Sequence, residues 1–442
     1  MIKISHLVAI SPKIIFSAYS TKTFTMAGGL MQLVAYGAQD VYLTGNPKVT
    51  FFQAVYKRHT NFAMENIEQT VNGTAANSGR VSVTIARNGD LVGDMHLELE
   101  SDVNTTVTSD ATSDNNWVAE RAINNVELSI GGQRIDKHYQ KWWRLYSELY
   151  LDESKKANWA KLTTAKDGKT VYLPLIFFFN RNPGLYLPLI ALQYHEVRID
   201  IDCASDMETY LNKNVFKVWA NYVYLDTEER RRFAQKGHEY LIEQVQHTGS
   251  DTVTSAGTKQ VRLSYNHPVK ELVWCFSNTL ARSSLWNFTS ANNDSEIVLE
   301  NDPRGGAASN CYVPVGVAGG VPLFDAESST ADYTEEAAGP LSTFKLVLNG
   351  QDRFKEQKGK YFNQLQAYNH HTGSPYPGVY SYSFALKPEE HQPTGTCNFS
   401  RIDNAQVAVT MNSSDATTMH MFATNYNVLR IQSGMGGLAF SN

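Results

Sequence analysis

Apolar and polar side chains alternate with a period of two along most of this chain, and this pattern constrains the fold more than any other feature. It recurs at residues 81–85, 126–130, 197–201, 261–265, 344–346, 380–384 and 407–410. Such alternation is typical of strands that bury one face and expose the other. Because Gly, Pro and Asn turns separate these short segments, the sequence predicts an all-β chain of antiparallel sandwiches or jelly rolls.

Composition supports broad packed sheets and excludes some function classes. Charged residues make up 19% of the chain and aromatic residues 11%, a balance that favours sheets over solvated helices. The net charge of -5 provides no basic field for a phosphate backbone, so we expect no direct nucleic-acid partner. Cys203, Cys275, Cys311 and Cys397 are widely spaced without a CxxC pair, which predicts reduced thiols rather than a zinc site or disulfide scaffold.

Two similar turns suggest that the chain contains two alike halves. Gly131-Gly132 follows one alternating strand and precedes Gln133, while Asn349-Gly350 follows another and precedes Gln351. Both dipeptides tolerate positive φ and predict tight hairpins. A length of 442 residues accommodates two large β domains. Short echoes also arise by chance, so this pattern alone leaves duplication open.

Helical signals are few and lie between strands. Asn46 before Pro47 resembles a helix start, and aromatic residues at helical spacing follow it, so we expect a short helix there. A second helix is expected within residues 140–155, at one end of a barrel. The charged stretch 225–236 marks a boundary. Its arginines could contact nucleic acid, but Glu228 and Glu229 offset them, which favours a solvated connector with ion pairs.

No residue set in the sequence predicts catalysis, a metal or a cofactor. His370, His371 and His391 lie near Glu389 and Glu390, but their spacing matches no ligand motif, so we interpret the histidine pair as an exposed loop. The glycines at 305–306 and 434–437 lack the Lys-Ser/Thr of a phosphate loop and are interpreted as turns and a close-packed tail. There is no nucleophile elbow.

The segment from Leu30 to Phe62, which includes Ala38-Gln39-Asp40-Val41-Tyr42-Leu43-Thr44-Gly45-Asn46-Pro47, is far more specific. It resembles the amino-terminal signature of the major capsid proteins of nucleocytoplasmic large DNA viruses, most closely those of the chloroviruses. Further blocks resembling this family span nearly everything after Met26. They lie at residues 131–139, 172–197, 225–244, 348–354, 384–404 and 425–438.

The resemblance implies a double jelly roll, that is, two eight-stranded antiparallel β-sandwiches in tandem with short helices in connecting loops. We expect a poorly ordered extension at 1–25, an amino-terminal arm with a short helix at 26–60, a first jelly roll at 61–225, a connector at 226–238 and a second jelly roll at 239–442. Three copies would form a pseudo-hexagonal capsomer, and capsomers would tile the icosahedral shell of a large double-stranded DNA virus.

The resemblance also implies location and partners. The chain would be a structural, non-enzymatic protein of the virion that is assembled in the host cytoplasm. Its partners would be two further copies, neighbouring capsomers and minor capsid proteins, with contact to an internal viral membrane through minor proteins. Outer loops would contact the host surface.

One region departs from the family blocks and carries the candidate modification sites. Residues 277–340 are rich in Ala, Gly, Ser and Asp, which predicts a long outward loop. Ordinary Asn-x-Ser/Thr triplets occur at Asn72, Asn104, Asn287, Asn293, Asn398 and Asn412. Asn287 and Asn293 are the better glycosylation candidates because they lie in this loop.

The sequence also leaves other function classes open. A minor, penton-type or variant capsid paralogue would share the jelly-roll pattern. A jelly-roll carbohydrate-binding protein would share the aromatic composition, and a glycoside hydrolase would add two facing carboxylates about 5 to 9.5 Å apart. The sequence identifies no such carboxylate pair, so the principal capsid tile is the favoured interpretation.

Overall fold

A computed structural model describes most of the chain after residue 27. The described residues are 28–102, 117–164, 168–253, 257–278, 295–301, 310–316, 321–322, 340–375, 378–411 and 417–440. The chain divides into two units, Met1–His59 and Thr60–Asn442, and the described part of the first unit is residues 28–59. The predicted extension at 1–25 lies outside the described residues.

The first unit contains two short helices, α1 (Gly28–Val34) and α2 (Val41–Thr44). The helix predicted to start at Asn46 is wrong, because residues 47–61 form no helix. Asn46 has a left-handed φ of 52° just beyond α2, so it lies at the exit of one helix rather than capping another. A short isolated helix is also costly to nucleate.

The second unit contains all of the described strands and the remaining described helices. The strands are β1 (Phe62–Gln69), β2 (Val71–Gly73), β3 (Arg80–Thr84), β4 (Leu91–Ser101), β5 (Ile123–Ile130), β6 (Gln133–Tyr139), β7 (Thr170–Pro174), β8 (Leu187–Pro188), β9 (Val197–Cys203), β10 (Leu211–Leu225), β11 (His238–Val253), β12 (Lys259–Leu263), β13 (Pro268–Asn278), β14 (Ser295–Asn301), β15 (Asn310–Gly316), β16 (Val321–Pro322), β17 (Leu341–Leu348), β18 (Gln351–Asp352), β19 (Gln357–Lys358), β20 (Val379–Ser383), β21 (Cys397–Asn398), β22 (Ala405–Met411), β23 (Thr417–Gln432) and β24 (Met435–Leu438). The α-helices are α3 (Val118–Ala122), α4 (Gln140–Leu149), α5 (Glu153–Thr163), α6 (Phe178–Arg181), α7 (Thr227–Gln235) and α8 (Gln366–His370), and α8 directly continues a π-helical turn, Tyr361–Leu365.

The strands β1 to β10 form two antiparallel sheets, which we call the N-terminal sandwich. One sheet has the order β1-β10-β4-β7, with β8 beside β4, and the other has the order β2-β3-β9-β5-β6. The predicted alternation explains the second sheet. Val83 pairs with Ile199, and Ile199 also pairs with Leu128. All three side chains are fully buried, because a period of two places them on the same face.

The strands β11 to β24, apart from β14–β16, form a second sandwich with the same order of pairing, the C-terminal sandwich. Its sheets are β11-β23-β13-β20, with β21 beside β13 and β24 beside β23, and β12-β22-β17-β18, with β19 beside β17. The order β1-β10-β4-β7 of the N-terminal sandwich thus corresponds to the order β11-β23-β13-β20 of the C-terminal sandwich. The jelly-roll topology is formed twice. The predicted all-β antiparallel architecture is confirmed.

One sheet of the C-terminal sandwich is buried on both faces. Along β13, Leu272, Trp274 and Phe276 belong to the core of their own sandwich, whereas Val273 and Cys275 belong to the core that extends from the N-terminal sandwich. A strand buried on both faces reads as a continuous apolar run. The sheet β11-β23-β13-β20 therefore separates two cores and joins the two sandwiches.

Two segments contain more regular structure than the sequence predicted. The charged connector includes the exposed helix α7, which is consistent with its low apolar content. The segment 277–340, predicted as a loop, contains β14, β15 and β16, which form their own three-stranded sheet. These strands were missed because Ala, Gly, Ser and Asp around them obscure any alternation.

Candidate functional site

Polar and aromatic side chains meet at the junction between the two sandwiches. The helix α4 of the N-terminal sandwich lies against the double-buried sheet. Trp142 of α4 is 2% exposed, and its ring centroid lies 5.7 Å from that of Phe422 on β23. Tyr139, immediately before α4, packs against His247 of β11 with ring centroids 5.0 Å apart. The sequence predicted this helix correctly.

Glu243 of β11 is the centre of a buried ionic group at this junction. Its carboxylate lies 3.1 Å from Arg181 of α6, 2.7 Å from Lys270 of β13 and 3.6 Å from His391. Burial alone raises the pKa of Glu243, but Arg181 and Lys270 outweigh it and lower the pKa to about 2. Glu243 therefore stays ionised and connects the two sandwiches through opposite charges.

A second ionic group is built around His371, at the end of α8. The His371 side chain is fully buried and bonds Glu271 of β13 on one side, with Glu389 3.3 Å away on the other. Tyr150, from the N-terminal sandwich, donates its hydroxyl to Glu271 at 2.5 Å. The sequence-based interpretation of His370 and His371 as an exposed loop is wrong for His371, because its side chain is buried. The neighbouring carboxylates offset the free-energy cost of burying this ring.

Further polar contacts join α5 to the C-terminal sandwich. Lys156 donates to the backbone carbonyl of Ser374 and lies 3.6 Å from Glu148. Glu153 accepts a hydrogen bond of 3.1 Å from the backbone N–H of Ser374. The buried pair Lys156 and Glu148 favours this arrangement of the partners, because another arrangement leaves the two charges unpaired.

The glycine-rich tail closes the other side of the junction. The backbone N–H of Tyr194 donates to the Gly434 carbonyl at 3.0 Å, and the His195 ring lies 2.8 Å from the Gly436 carbonyl oxygen. A Cβ atom at Gly434 would lie 2.6 Å from the Tyr194 ring. Close packing of the tail against neighbouring side chains, rather than phosphate binding, thus explains these glycines.

The two echoing turns occupy equal places in the two sandwiches. Gly131 and Gly132 have φ of 57° and 83°, and Asn349 and Gly350 have φ of 50° and 80°. Both dipeptides join neighbouring strands as two-residue turns, β5 to β6 and β17 to β18. Two successive left-handed residues match the type I′ hairpin, whose twist follows that of the strands.

The connector helix α7 borders a groove of about 1300 Å³. Arg230 of α7 lies 2.9 Å from Asp90, and Arg231 lies 3.3 Å from Glu228. The ring of Phe233 stacks on His238 with centroids 5.2 Å apart. Arg230 and Arg231 thus form ion pairs within the chain, as expected for a connector rather than for a phosphate contact.

The remaining candidate positions are dispersed. Asn72 lies on β2 and Asn398 on β21, while Asn104, Asn287, Asn293 and Asn412 lie outside the described residues. Among the residues that the structure describes, no cluster of three or more His, Cys, Asp or Glu side chains could hold a metal. No helix of the described chain is long and apolar enough to span a membrane.

Sequence reasoning missed the residues of the ionic junction. The available signal was the position of charged residues inside otherwise apolar strands, such as Lys270-Glu271 within β13 and Glu243 within β11. A charge at a buried position requires a partner. The partners Arg181 and His371 are distant in sequence, so only the tertiary fold reveals them.

This fold, two jelly rolls joined through one sheet that is buried on both faces, defines a class of structural shell proteins. The model of the family described as large eukaryotic DNA virus major capsid protein matches residues 229–437. The model of the major capsid protein N-terminus matches residues 50–226. The major capsid protein of Paramecium bursaria Chlorella virus 1 is 45% identical over 94% of this chain and 100% of its own length.

Solved structures of viral capsid proteins have a similar fold. A crystal structure of VP54 from PBCV-1, fitted into a reconstruction of the virophage Sputnik, superimposes with a TM-score of 0.71 and 40% identity, covering 89% of this chain and 100% of that chain. The Faustovirus major capsid protein matches with a TM-score of 0.65 and 12% identity over 91% of this chain and 96% of that chain, which supports the fold alone. The chain belongs to the family of major capsid proteins of large eukaryotic DNA viruses. The predicted double jelly roll and the predicted role as a structural protein of the icosahedral virion shell are confirmed.

Proposed function

We propose that three copies of this chain form a pseudo-hexagonal capsomer and that these capsomers tile the shell. The duplicated jelly roll carries the proposal, because three chains with two alike sandwiches each supply six similar units around a threefold axis. Such a tile has a six-sided outline although it contains only three identical chains. The ionic junction supports this role, since a tile requires a fixed angle between its two sandwiches.

The proposed role is structural and non-enzymatic. The described titratable groups of the junction are buried against each other: Glu243 contacts Arg181 and Lys270, and His371 contacts Glu271. A catalytic acid or base needs access to a substrate. Paired charges between two sandwiches instead contribute specificity of packing.

We further propose the division of the chain that the sequence suggested. The first jelly roll is assigned to 61–225, the connector to 226–238 and the second jelly roll to 239–442, following an arm at 26–60 and an extension at 1–25.

Asn287 and Asn293 remain the proposed glycosylation sites. Intact mass before and after glycosidase treatment of virion protein tests them, and an unchanged mass rejects both.

The proposed partners are those that the family resemblance implies. Besides the two other copies, these are neighbouring capsomers and minor capsid proteins, which also connect the shell to an internal membrane, while outer loops contact the host. The net charge of -5 argues against direct genome contact. Assembly in the host cytoplasm is supported by the free thiols of Cys203, Cys275 and Cys397, which suit a reducing compartment.

Size-exclusion chromatography with light scattering tests the capsomer. The purified chain is expected to elute as one species with about three times the 49.4 kDa mass of the monomer. A monodisperse monomer at micromolar concentration would reject the proposal. Protein counting in purified virions then separates the principal tile, expected in large excess, from a variant paralogue at specialised positions.

A further inference from the structure

We propose that the amino-terminal arm, residues 26–60, binds directly to the surface of an anionic lipid bilayer. The arm lies in the plane of the lipid headgroups, and its apolar side chains insert between them. This contact goes beyond the proposed capsomer, because a single chain carries the whole binding element. It also differs from a connection to the membrane through minor proteins.

The arm concentrates the exposed apolar side chains of the protein. Of the 22 exposed large apolar side chains that the structure describes, 13 lie between Leu30 and Tyr56, and the other nine are spread over residues 62–440. Phe51 and Phe52 are 93% and 99% exposed. Soluble surfaces rarely keep so many apolar groups together, so the arm requires an apolar surface that covers it.

The helix α1 has one broad apolar side. Its large side chains, Leu30, Met31, Leu33 and Val34, cover an arc of about 160° around the helix axis, and Gln32 lies opposite the middle of this arc. With seven residues, α1 is too short to cross a bilayer core of about 30 Å. A short amphipathic helix is marginal in water but is stabilised on a lipid surface, where it lies flat.

Charge separates the arm and its preceding extension from the rest of the chain. Residues 1–59 contain six of the 39 basic residues and one of the 44 acidic residues, so their net charge is +5 and that of residues 60–442 is -10. A basic end on an acidic protein is typical of a segment that binds a polyanion. Basic residues beside apolar side chains favour anionic lipid headgroups.

The single acid of this region points to its own backbone. Asp40 accepts a hydrogen bond of 2.6 Å from the Gly37 N–H and is half-buried, whereas Lys48, Lys57 and Arg58 are exposed. Basic groups therefore dominate the outer surface of the described part of the arm.

A bilayer fits the arm better than two other acidic partners. A second copy of the chain is acidic over residues 60–442, but its nine described exposed apolar side chains are dispersed, so it offers little apolar area. DNA would pair with the basic groups but leave Phe51 and Phe52 in water. An anionic bilayer provides both the apolar phase and the negative charge.

Vesicle sedimentation with the purified full-length chain tests this inference. The chain is expected to bind vesicles that contain phosphatidylserine at least about tenfold more tightly than pure phosphatidylcholine vesicles. Added salt should weaken the binding, because it screens the headgroup charge. Thermal unfolding checks that each variant described below folds like the wild type.

One variant tests the apolar part of the contact. Phe51→Ser combined with Phe52→Ser should weaken binding to phosphatidylserine vesicles at least about tenfold, because two rings no longer leave water. Tyr194→Ser combined with Phe440→Ser is the matched control, since both side chains are more than half exposed and lie outside the arm. The control should bind like the wild type.

A second variant tests the charge. Lys57→Glu combined with Arg58→Glu should weaken binding to phosphatidylserine vesicles at least about tenfold and leave binding to phosphatidylcholine vesicles unchanged, because only the anionic surface attracts the native charges. Lys259→Glu combined with Arg262→Glu makes the same change of net charge at exposed positions of β12. This control should also bind like the wild type.

Absence of binding to phosphatidylserine vesicles, or equal binding by the arm variants and the wild type, overturns the inference. If vesicles stay unbound while the arm variants lose gel-shift binding to double-stranded DNA, or lose the trimer in light scattering, the partner is DNA or a second copy instead. The failure of this inference is distinguishable from that of the capsomer. A monomeric wild type that binds vesicles rejects only the capsomer, and a trimer that does not bind them overturns only the lipid contact.

Discussion

At the scale of single residues, His371 shows how a buried base is stabilised in this protein. Burial of the imidazole lowers its pKa, but Glu271 and Glu389 together outweigh burial and raise the pKa from 6.5 to about 9. Tyr150 also contacts Glu271, so the charged ring is connected to the N-terminal sandwich. The ring is therefore an imidazolium at neutral pH, surrounded by two carboxylates.

This pKa predicts a pH dependence of stability. Because the folded pKa exceeds the unfolded pKa, His371 contributes fully below pH 6.5 and loses its contribution as pH rises through about 9. His371→Gln is expected to lower the free energy of unfolding by about 3 kcal/mol at pH 6, and the deficit should shrink towards pH 10. Urea denaturation across this pH range measures it.

The neighbouring His370 provides the control. His370→Gln changes the same residue type, but its ring contacts only the Leu386 carbonyl at the loop surface among the described hydrogen bonds. It should leave both the stability and its pH dependence close to those of the wild type. Parallel pH profiles for His371→Gln and wild type would contradict the proposed imidazolium.

At the scale of elements, the two hairpins have the same turn conformation but different space around their glycines. Both turns have two residues with positive φ. The turn at Gly131 lies against the His195 ring, where a Cβ atom would overlap it, whereas a Cβ atom at Gly350 meets nothing within 4 Å. The first turn therefore requires glycine for space as well as for conformation.

This difference predicts unequal costs for the same substitution. Gly350→Ala should destabilise the chain by about 1 kcal/mol, the cost of a left-handed alanine. Gly131→Ala should cost about 2 to 3 kcal/mol, because it also displaces His195 from the tail. Gly132→Ala, at a φ of 83° with open space around it, is the matched control and should resemble Gly350→Ala. Equal costs at all three positions, measured by thermal unfolding, would refute this account.

Strands were easier to predict than helices. The strands around Val83, Leu128 and Ile199 form where the alternation places them, because a period of two is visible in a few residues. The helix expected after Asn46 does not form, since capping residues also occur where helices end. The helix α4 forms within the predicted range, and its ring contacts with Phe422 stabilise it from outside its own sequence.

At the scale of the whole molecule, every strand described lies between Phe62 and Leu438. Deletion of residues 1–25 is therefore expected to leave folding and trimer formation intact, because this stretch contains no alternating pattern and precedes the family blocks. Light scattering and thermal unfolding of the shortened chain check the expectation. Loss of the trimer would show that these residues act as a structural arm.

A truncation at the other end is the matched control. Removal of residues 433–442 deletes β24, which pairs with β23, and the Gly436 contact with His195. It should lower the unfolding temperature clearly, because it removes both a strand and part of the junction. Together the two truncations distinguish a dispensable end from one that is built into the fold.

The sequence by itself determined the class of fold, the hairpin turns and the family, because strand alternation, turn chemistry and family blocks are local features of the chain. Only the tertiary structure decided which charges are buried and how the two sandwiches meet. Glu243 and Arg181, or His371 and Glu271, become partners because the fold brings distant strands together and excludes water around them. The free energy of a buried ion pair depends on that environment, which no local pattern contains.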